Sequence, residues 1–178
     1  DRASQSIWYR QQPVPEFSVS ERDGGIEIET AALTLRYHDD STGFTAHNLS
    51  IRLKNTDVSW RPGELDPRNL KGTTRTLDMV NGSTPLTSGL MSRSGWSLVD
   101  DSATLVFNES GWVEPRPKGT TDWYFFGYEH DYKACLRDYC CISGSAPLIP
   151  RWILGNWWSR YWHYTQAELE QLMNDFQE

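Results

Sequence analysis

The chain is poor in cysteine, with three in 178 residues: Cys135, Cys140 and Cys141. An odd number crowded into one short stretch makes no disulfide framework. A zinc site wants two separated ligand pairs, and His130 is the only histidine near these thiols. They read as core or helix-surface thiols, which favours a reducing compartment such as the cytoplasm. Positive charge is also scarce. Seventeen Lys and Arg stand against 24 Asp and Glu, for a net charge of −7. Without a basic stripe to meet phosphates, nucleic acid is not an expected partner. No apolar run has the length of a membrane-spanning helix, so no membrane partner is expected either. The start, Asp1-Arg2-Ala3-Ser4, has no Met and no basic-then-apolar signal pattern. It reads as the result of a removed leader or as a beginning inside a longer chain. Gly-rich phosphate loops and nucleophile elbows are missing, and His38, His47, His130 and His163 lack ligand spacing. No metal and no cofactor is expected.

What is present points to a globular β-rich protein. The apolar share is 38% and the charged share 23%, the balance of a chain that buries a core. The length suits one ordinary domain and is too short for a β-sandwich plus a complete α/β barrel. Nine tryptophans are unusual. Each is first of all core material, but a Trp ring is also a platform for the apolar face of a sugar.

Period-two patterning fills the first half: Phe17 and Val19; Ile26 and Ile28; Leu33, Leu35 and Tyr37; Leu49, Ile51 and Leu53. Such alternation predicts half-buried antiparallel strands. Asp23-Gly24-Gly25 and Asp39-Asp40-Ser41-Thr42-Gly43 separate them as turns. Short strands with regular turns predict a β-sandwich. From Arg61 to Gly95, Pro and Gly break every long element, and an irregular stretch of that length in a compact domain is commonly functional. Strands are expected again at Ser97–Val99 and Ala103–Phe107. Asp122–Tyr128, with Trp123-Tyr124-Phe125-Phe126, reads as a strand buried on both faces.

The period then changes. His130–Ser143 carries Tyr132, Leu136, Tyr139 and Ile142 at helical spacing, closed by Gly144. Pro147 and Pro150 bracket a connection. Trp152–Trp158 reads as a buried strand by composition. Thr165-Gln166-Ala167-Glu168 is a capping box opening a helix with Leu169, Leu172, Met173 and Phe176 on one stripe. A buried strand followed by an amphipathic helix opens a βα unit, which needs a parallel neighbour. The chain therefore reads as part of a larger protein.

Other features carry less. Asp39-Asp40 and Asp100-Asp101 are adjacent acids in turn settings, and sequence neighbours on a strand face opposite ways, so they read as solvated turns rather than acid/base pairs. Asn48-Leu49-Ser50, Asn81-Gly82-Ser83 and Asn108-Glu109-Ser110 match the N-glycosylation pattern, one that chance produces often.

Four strings share one family resemblance. GNWWSRYWHYT, Gly155 to Thr165, resembles the first barrel strand of glycoside hydrolase family 31. DWYFFGYEHDYKACLRDY, Asp122 to Tyr139, resembles that family's passage from N-terminal sandwich to barrel. NLKGTTRTLDMVNGSTPL, Asn69 to Leu86, and GLMSRSGWSLVDDS, Gly89 to Ser102, look like its sandwich-edge loops. The resemblance implies a mainly β architecture: an antiparallel β-sandwich over residues 1–128, a linker helix and Pro-containing connection over 129–150, and the first βα unit of a (β/α)8 barrel over 151–178. It implies retaining hydrolysis of α-glucosides or α-xylosides without a metal. Retention uses two carboxyls about 5 to 5.5 Å apart, both Asp on later barrel strands in the family, so no catalytic residue is carried over to this chain, which alone would be inactive. For substrate binding it implies Tyr161, at the C-terminal end of the first barrel strand, where functional side chains gather, and Asn81, on the loop Asp78–Gly82. Trp157 shares the strand face of Tyr161. Each has a plainer reading: barrel packing for Tyr161 and above all for Trp157, an Asn-Gly turn for Asn81. The implied partners are an α-linked oligosaccharide or glycoside and the remainder of the barrel. Two other classes fit the same residues: a non-catalytic carbohydrate-binding β-sandwich, and an interaction domain presenting the apolar face between Trp152 and Phe176.

Overall fold

A computed structural model describes residues 2–54, 56–72, 74, 76–157 and 159–177. The chain is mainly β, with antiparallel sheets and two α-helices. It divides into two compact units, Asp1–Ser145 and Ala146–Glu178.

The first unit is built on a five-stranded meander: β1 (Phe17–Arg22), β2 (Gly25–Thr30), β3 (Leu33–Tyr37), β4 (Leu49–Leu53) and β5 (Ser59–Trp60), in that spatial order. Register follows from the alternation. Ile28 faces Leu35, Leu35 faces Ile51, Leu33 faces Leu53 and Ile51 faces Trp60, so one face collects the apolar rows. The other face pairs charges: Arg36 bonds Glu27 across the strands, and Lys54 Nζ lies 3.4 Å from Glu29. The β1–β2 turn is a two-residue loop with Asp23 at φ 50° and Gly24 at φ 76°. Positive φ at both central positions gives the twist a tight hairpin needs.

Two smaller antiparallel pairs complete this unit: β6 (Trp96–Asp100) with β9 (Trp123–Gly127), and β7 (Val106–Phe107) with β8 (Val113–Glu114). The core cluster joins Leu49, Ile51 and Trp60 of the large sheet to Trp96 of β6, with Leu98, Trp123 and Phe125 packed against it. Trp60 sits at the centre. Its ring centroid lies 5.3 Å from that of Phe125 and 6.2 Å from those of Trp96 and Trp123. Helix α1 (Tyr132–Ser143) packs in the same unit, with Asp131 capping its start through Ala134 N–H. At its end Ile142 O accepts from Trp8 and Tyr9 N–H. Cys135 is buried, Cys140 half-buried and Cys141 exposed, all as free thiols, matching the reading of core and helix-surface positions.

Three expectations need correction here. Residues 123–126 of β9 are half-buried and Gly127 is exposed, rather than buried on both faces. The expected strand Ala103–Phe107 shortens to Val106–Phe107, because Thr104 N–H turns back onto Asp101 O at 3.1 Å. Of the pair Asp100-Asp101, Asp100 is exposed and accepts from Ser102 N–H as a turn residue does, but Asp101 is not solvated: it is 1% exposed. Its burial is possible because a guanidinium meets it, which spacing along the chain cannot reveal.

The second unit holds a 3-10 helix, Arg151–Leu154, and α2, Gln166–Asp175. The capping box is formed: Thr165 Oγ1 accepts from Glu168 N–H, and the Glu168 carboxylate accepts from Thr165 N–H. The expected buried strand Trp152–Trp158 is absent over its described residues, 152–157. Ile153 N–H donates to Pro150 O and Gly155 N–H to Trp152 O, so the backbone is satisfied by local turns. A strand's amides need a paired neighbour, and among the described residues no strand of this unit offers one. Trp152 and Leu154 are exposed as a result. Trp158 lies outside the described residues.

Candidate functional site

The long irregular stretch between β5 and β6 is organised as a pinned base and a free tip. Asn69 makes the base. Its Oδ1 accepts from Lys71 N–H and Gly89 N–H, each at 2.9 Å, and its Nδ2 donates to Gly89 O at 3.0 Å. Leu70 N–H to Met91 O and Gly72 N–H to Thr87 O extend the pairing. Gly89 is required by this approach, since a Cβ there would sit 2.7 Å from Lys71 O. Tyr128 holds the returning limb: its hydroxyl accepts from Ser92 N–H at 2.6 Å and donates to Leu90 O at 3.1 Å. Burial pushes that phenol up to about 12.

Beyond the base the tip is exposed. Val80 N–H closes a turn on Leu77 O, with Met79 at φ 60° and fully exposed. Asn81 follows, exposed, and Gly82 at φ 91° supplies the left-handed residue of an Asn-Gly bend. The Asn81 amide bonds to no described side chain or backbone group, so it is free to meet a ligand.

Under the loop lies a cleft of about 600 Å³ along the open edge of β6, lined by Trp60, Asp66, Asn69, Gly89, Trp96 and Tyr139 among others. Asp66 is fully engaged: it accepts from Ser94 Oγ at 2.7 Å and from Arg68 N–H and Asn69 Nδ2. Burial alone would raise its carboxyl, but these bonds hold it below the usual range. It anchors the loop as an ionised acceptor rather than serving as an acid. A second cleft, about 460 Å³ and almost wholly apolar, opens beside the core between Ile28, Leu35, Phe44, Trp123 and Phe125.

Sequence reasoning missed an ion network. Arg10 grips Asp122 with two bonds, at 2.7 and 3.0 Å. Arg116 bridges Asp101 at 2.5 Å and Asp122 at 2.8 Å, and its Nε donates to Thr104 O. One Asp101 carboxylate oxygen is buried with no partner. Burial pushes the Asp122 carboxyl up, yet the Arg10 bond and the charges of Arg10 and Arg116 outweigh it and hold the carboxyl below its ordinary value. The Asp122 carboxylate, clamped by two guanidinium groups, stays ionised and does not serve as an acid. Nothing in the spacing of Arg10, Asp101, Arg116 and Asp122 along the chain signals this.

The other two candidate binding residues belong to the second unit. Tyr161 is 96% exposed, with its ring 6.3 Å from that of His163. Trp157 is 72% exposed and donates its indole N–H to Ile153 O at 2.7 Å. Nearby, the Arg160 guanidinium lies 4.8 Å over the Trp162 ring. Among the described residues no three His, Cys, Asp or Glu side chains group as metal ligands. No helix among them is long and apolar enough to cross a membrane. No protein-family model matches the chain, and no curated protein matches it at a significant level.

Proposed function

We propose that this chain is the N-terminal portion of a retaining α-glycosidase of the family 31 type. In this reading residues 1–128 form the N-terminal sandwich, 129–150 the linker, and 151–178 the opening of a (β/α)8 barrel. The observation that carries it is the order of four strings, Asn69–Leu86, Gly89–Ser102, Asp122–Tyr139 and Gly155–Thr165. The first of these forms a loop with a pinned base and a free Asn81 at its tip.

Within that function the chain's part is binding and support. The Tyr161 ring would cover the C–H face of a pyranose, with Trp157 beside it, and the Asn81 amide would donate to and accept from sugar hydroxyls. The substrate is an α-linked oligosaccharide or glycoside. The two carboxyls that cleave with retention belong to the remainder of the barrel. Local 3-10 bonding over Arg151–Leu154 is compatible with this reading, because a first barrel strand has backbone partners only once its neighbours are in place.

The cleft lined by Trp60, Asp66, Asn69 and Tyr139 favours a second reading, a non-catalytic carbohydrate-binding sandwich. Two measurements separate them. The chain alone is assayed on 4-nitrophenyl α-glucoside and α-xyloside, and titrated with oligosaccharides while tryptophan fluorescence is followed. The first reading expects no turnover and no saturable change, and expects hydrolysis to return when the chain is added to a family 31 barrel deprived of its own N-terminal portion. Saturable binding by the chain alone selects the second reading. Turnover by the chain alone, abolished by a substitution within it, would overturn both.

A further inference from the structure

We infer that Asn81 is a site of spontaneous covalent modification, an asparagine poised to cyclise onto the Gly82 nitrogen and convert to aspartate and isoaspartate. The reaction needs a side-chain amide free to turn, a following backbone nitrogen open to attack it, and room for a five-membered ring. Gly82 meets the second need best, since no Cβ shields its nitrogen. Its N–H donates to no backbone carbonyl among the described residues, and a Cβ built there would have nothing within 4 Å.

The other described asparagines show what protection looks like. The Asn48 Oδ1 accepts from Thr45 N–H at 2.8 Å, and its Nδ2 donates to Gly43 O at 2.6 Å and Asp40 at 2.9 Å. Asn48 is 6% exposed. Asn69 is held at four points. Asn108 accepts from Ser110 and Trp112 N–H, both at 3.0 Å. Asn174 lies inside α2. Asn156 is followed by the bulk of Trp157. Asn81 combines exposure, an unbonded amide and a glycine after it.

The step balances without any enzyme. The Gly82 nitrogen gives its proton to solvent base and bonds to the Asn81 Cγ. The Cγ–Nδ2 bond breaks and ammonia leaves. Water then adds to one or other carbonyl of the succinimide, opening it to aspartate or isoaspartate. The product trades an amide donor for a carboxylate that only accepts, placing a negative charge at the loop tip beside Asp78. Asparagine chemistry of this kind limits the life of proteins held warm. It stands whether or not the glycosidase reading does, and under that reading it would remove a sugar-hydroxyl donor.

The test ages the whole chain in mildly alkaline buffer, folded and in urea, and maps the peptides by mass with an isoaspartate-specific label. The expected result is conversion at Asn81 at nearly the same rate folded and unfolded, while folding suppresses any conversion at Asn48, Asn69 and Asn108. Asn81→Gln removes the signal. Gly82→Leu slows it on the order of tenfold, the ratio that about 1.4 kcal/mol added to the ring-closing barrier produces. Suppression of Asn81 on folding as strong as that at Asn69, or conversion appearing first at a bonded asparagine, would overturn the inference.

Discussion

The two core tryptophans of the first unit and the described tryptophans of the second behave in opposite ways, while Trp8 and Trp112 of the first unit lie outside its core and are exposed. In the first, Trp60 and Trp96 are 2% and 7% exposed and stack into one aromatic core with Phe125. In the second, Trp152, Trp157 and Trp162 are 73%, 72% and 61% exposed. The residue type is the same, so the difference lies in what surrounds it. The first unit brings strands from distant parts of the chain to both sides of Trp60. The second has a short 3-10 turn and one helix of 10 residues, which bury no residue of their own. Helices of that length draw most of their stability from packing rather than propensity. An aromatic becomes core only where partner strands exist to cover it. Where none does, it stays exposed.

Cutting each unit at its tryptophan is the sharpest way to break that contrast. Trp60→Ala should cost about 3 to 5 kcal/mol in urea unfolding followed by circular dichroism, whereas Trp157→Ala should leave the main transition in place. A comparable loss from Trp157→Ala would remove the distinction. Next in size is the ion network. Arg116→Met leaves Asp101 buried and unpaired and should cost about 3 kcal/mol. Adding Asp101→Leu to Arg116→Met should recover much of it, as removing both charges costs less than stranding one.

The same network sets the acid limit. The folded carboxyl of Asp122 is held low, so its contribution is present above its unfolded value of about 3.9 and is lost as pH falls through the lower folded value. Tm should therefore decline below about pH 4, and less steeply in Arg10→Met. At the alkaline end Cys135 acts with the opposite sign. Burial raises its thiol from 9.0 to about 11, so the stability it contributes is intact below 9.0 and is lost as pH rises toward about 11. A thiol reagent at neutral pH should label Cys141 first and Cys135 only on unfolding. The smallest effect belongs to the second unit: Thr165→Ala removes the capping box and should cost about 1 kcal/mol of helix stability, visible as reduced helicity with the β transition unmoved.

Much of the secondary structure was legible because its signals are local. Leu33, Leu35 and Tyr37 announce a strand by alternation alone, Gly144 closes α1, and Thr165 with Glu168 caps α2. What escaped depends on residues far apart in sequence. Asp101 looked like half of a solvated turn until Arg116 closed over it, and Arg10 meets Asp122 across 112 positions. Trp152–Trp157 failed for a related reason. Its composition suits a buried strand, but composition does not provide the neighbour whose carbonyls such a strand needs. Asn81 was identifiable as an Asn-Gly bend, yet its freedom from hydrogen bonds became clear only against the bonded amides of Asn48, Asn69 and Asn108.

The contrast between the units is tested most directly by amide hydrogen exchange on the whole chain, resolved by peptide. Slow exchange should centre on Leu49–Leu53, a strand paired on both sides that holds buried Leu49, Ile51 and Leu53, with residues 152–157 and 159–164 exchanging at once and α2 soon after. Protection of residues 152–157 and 159–164 equal to that of Leu49–Leu53 would contradict the account, because it would mean that Trp152, Trp157 and Trp162 are covered in solution by the chain itself.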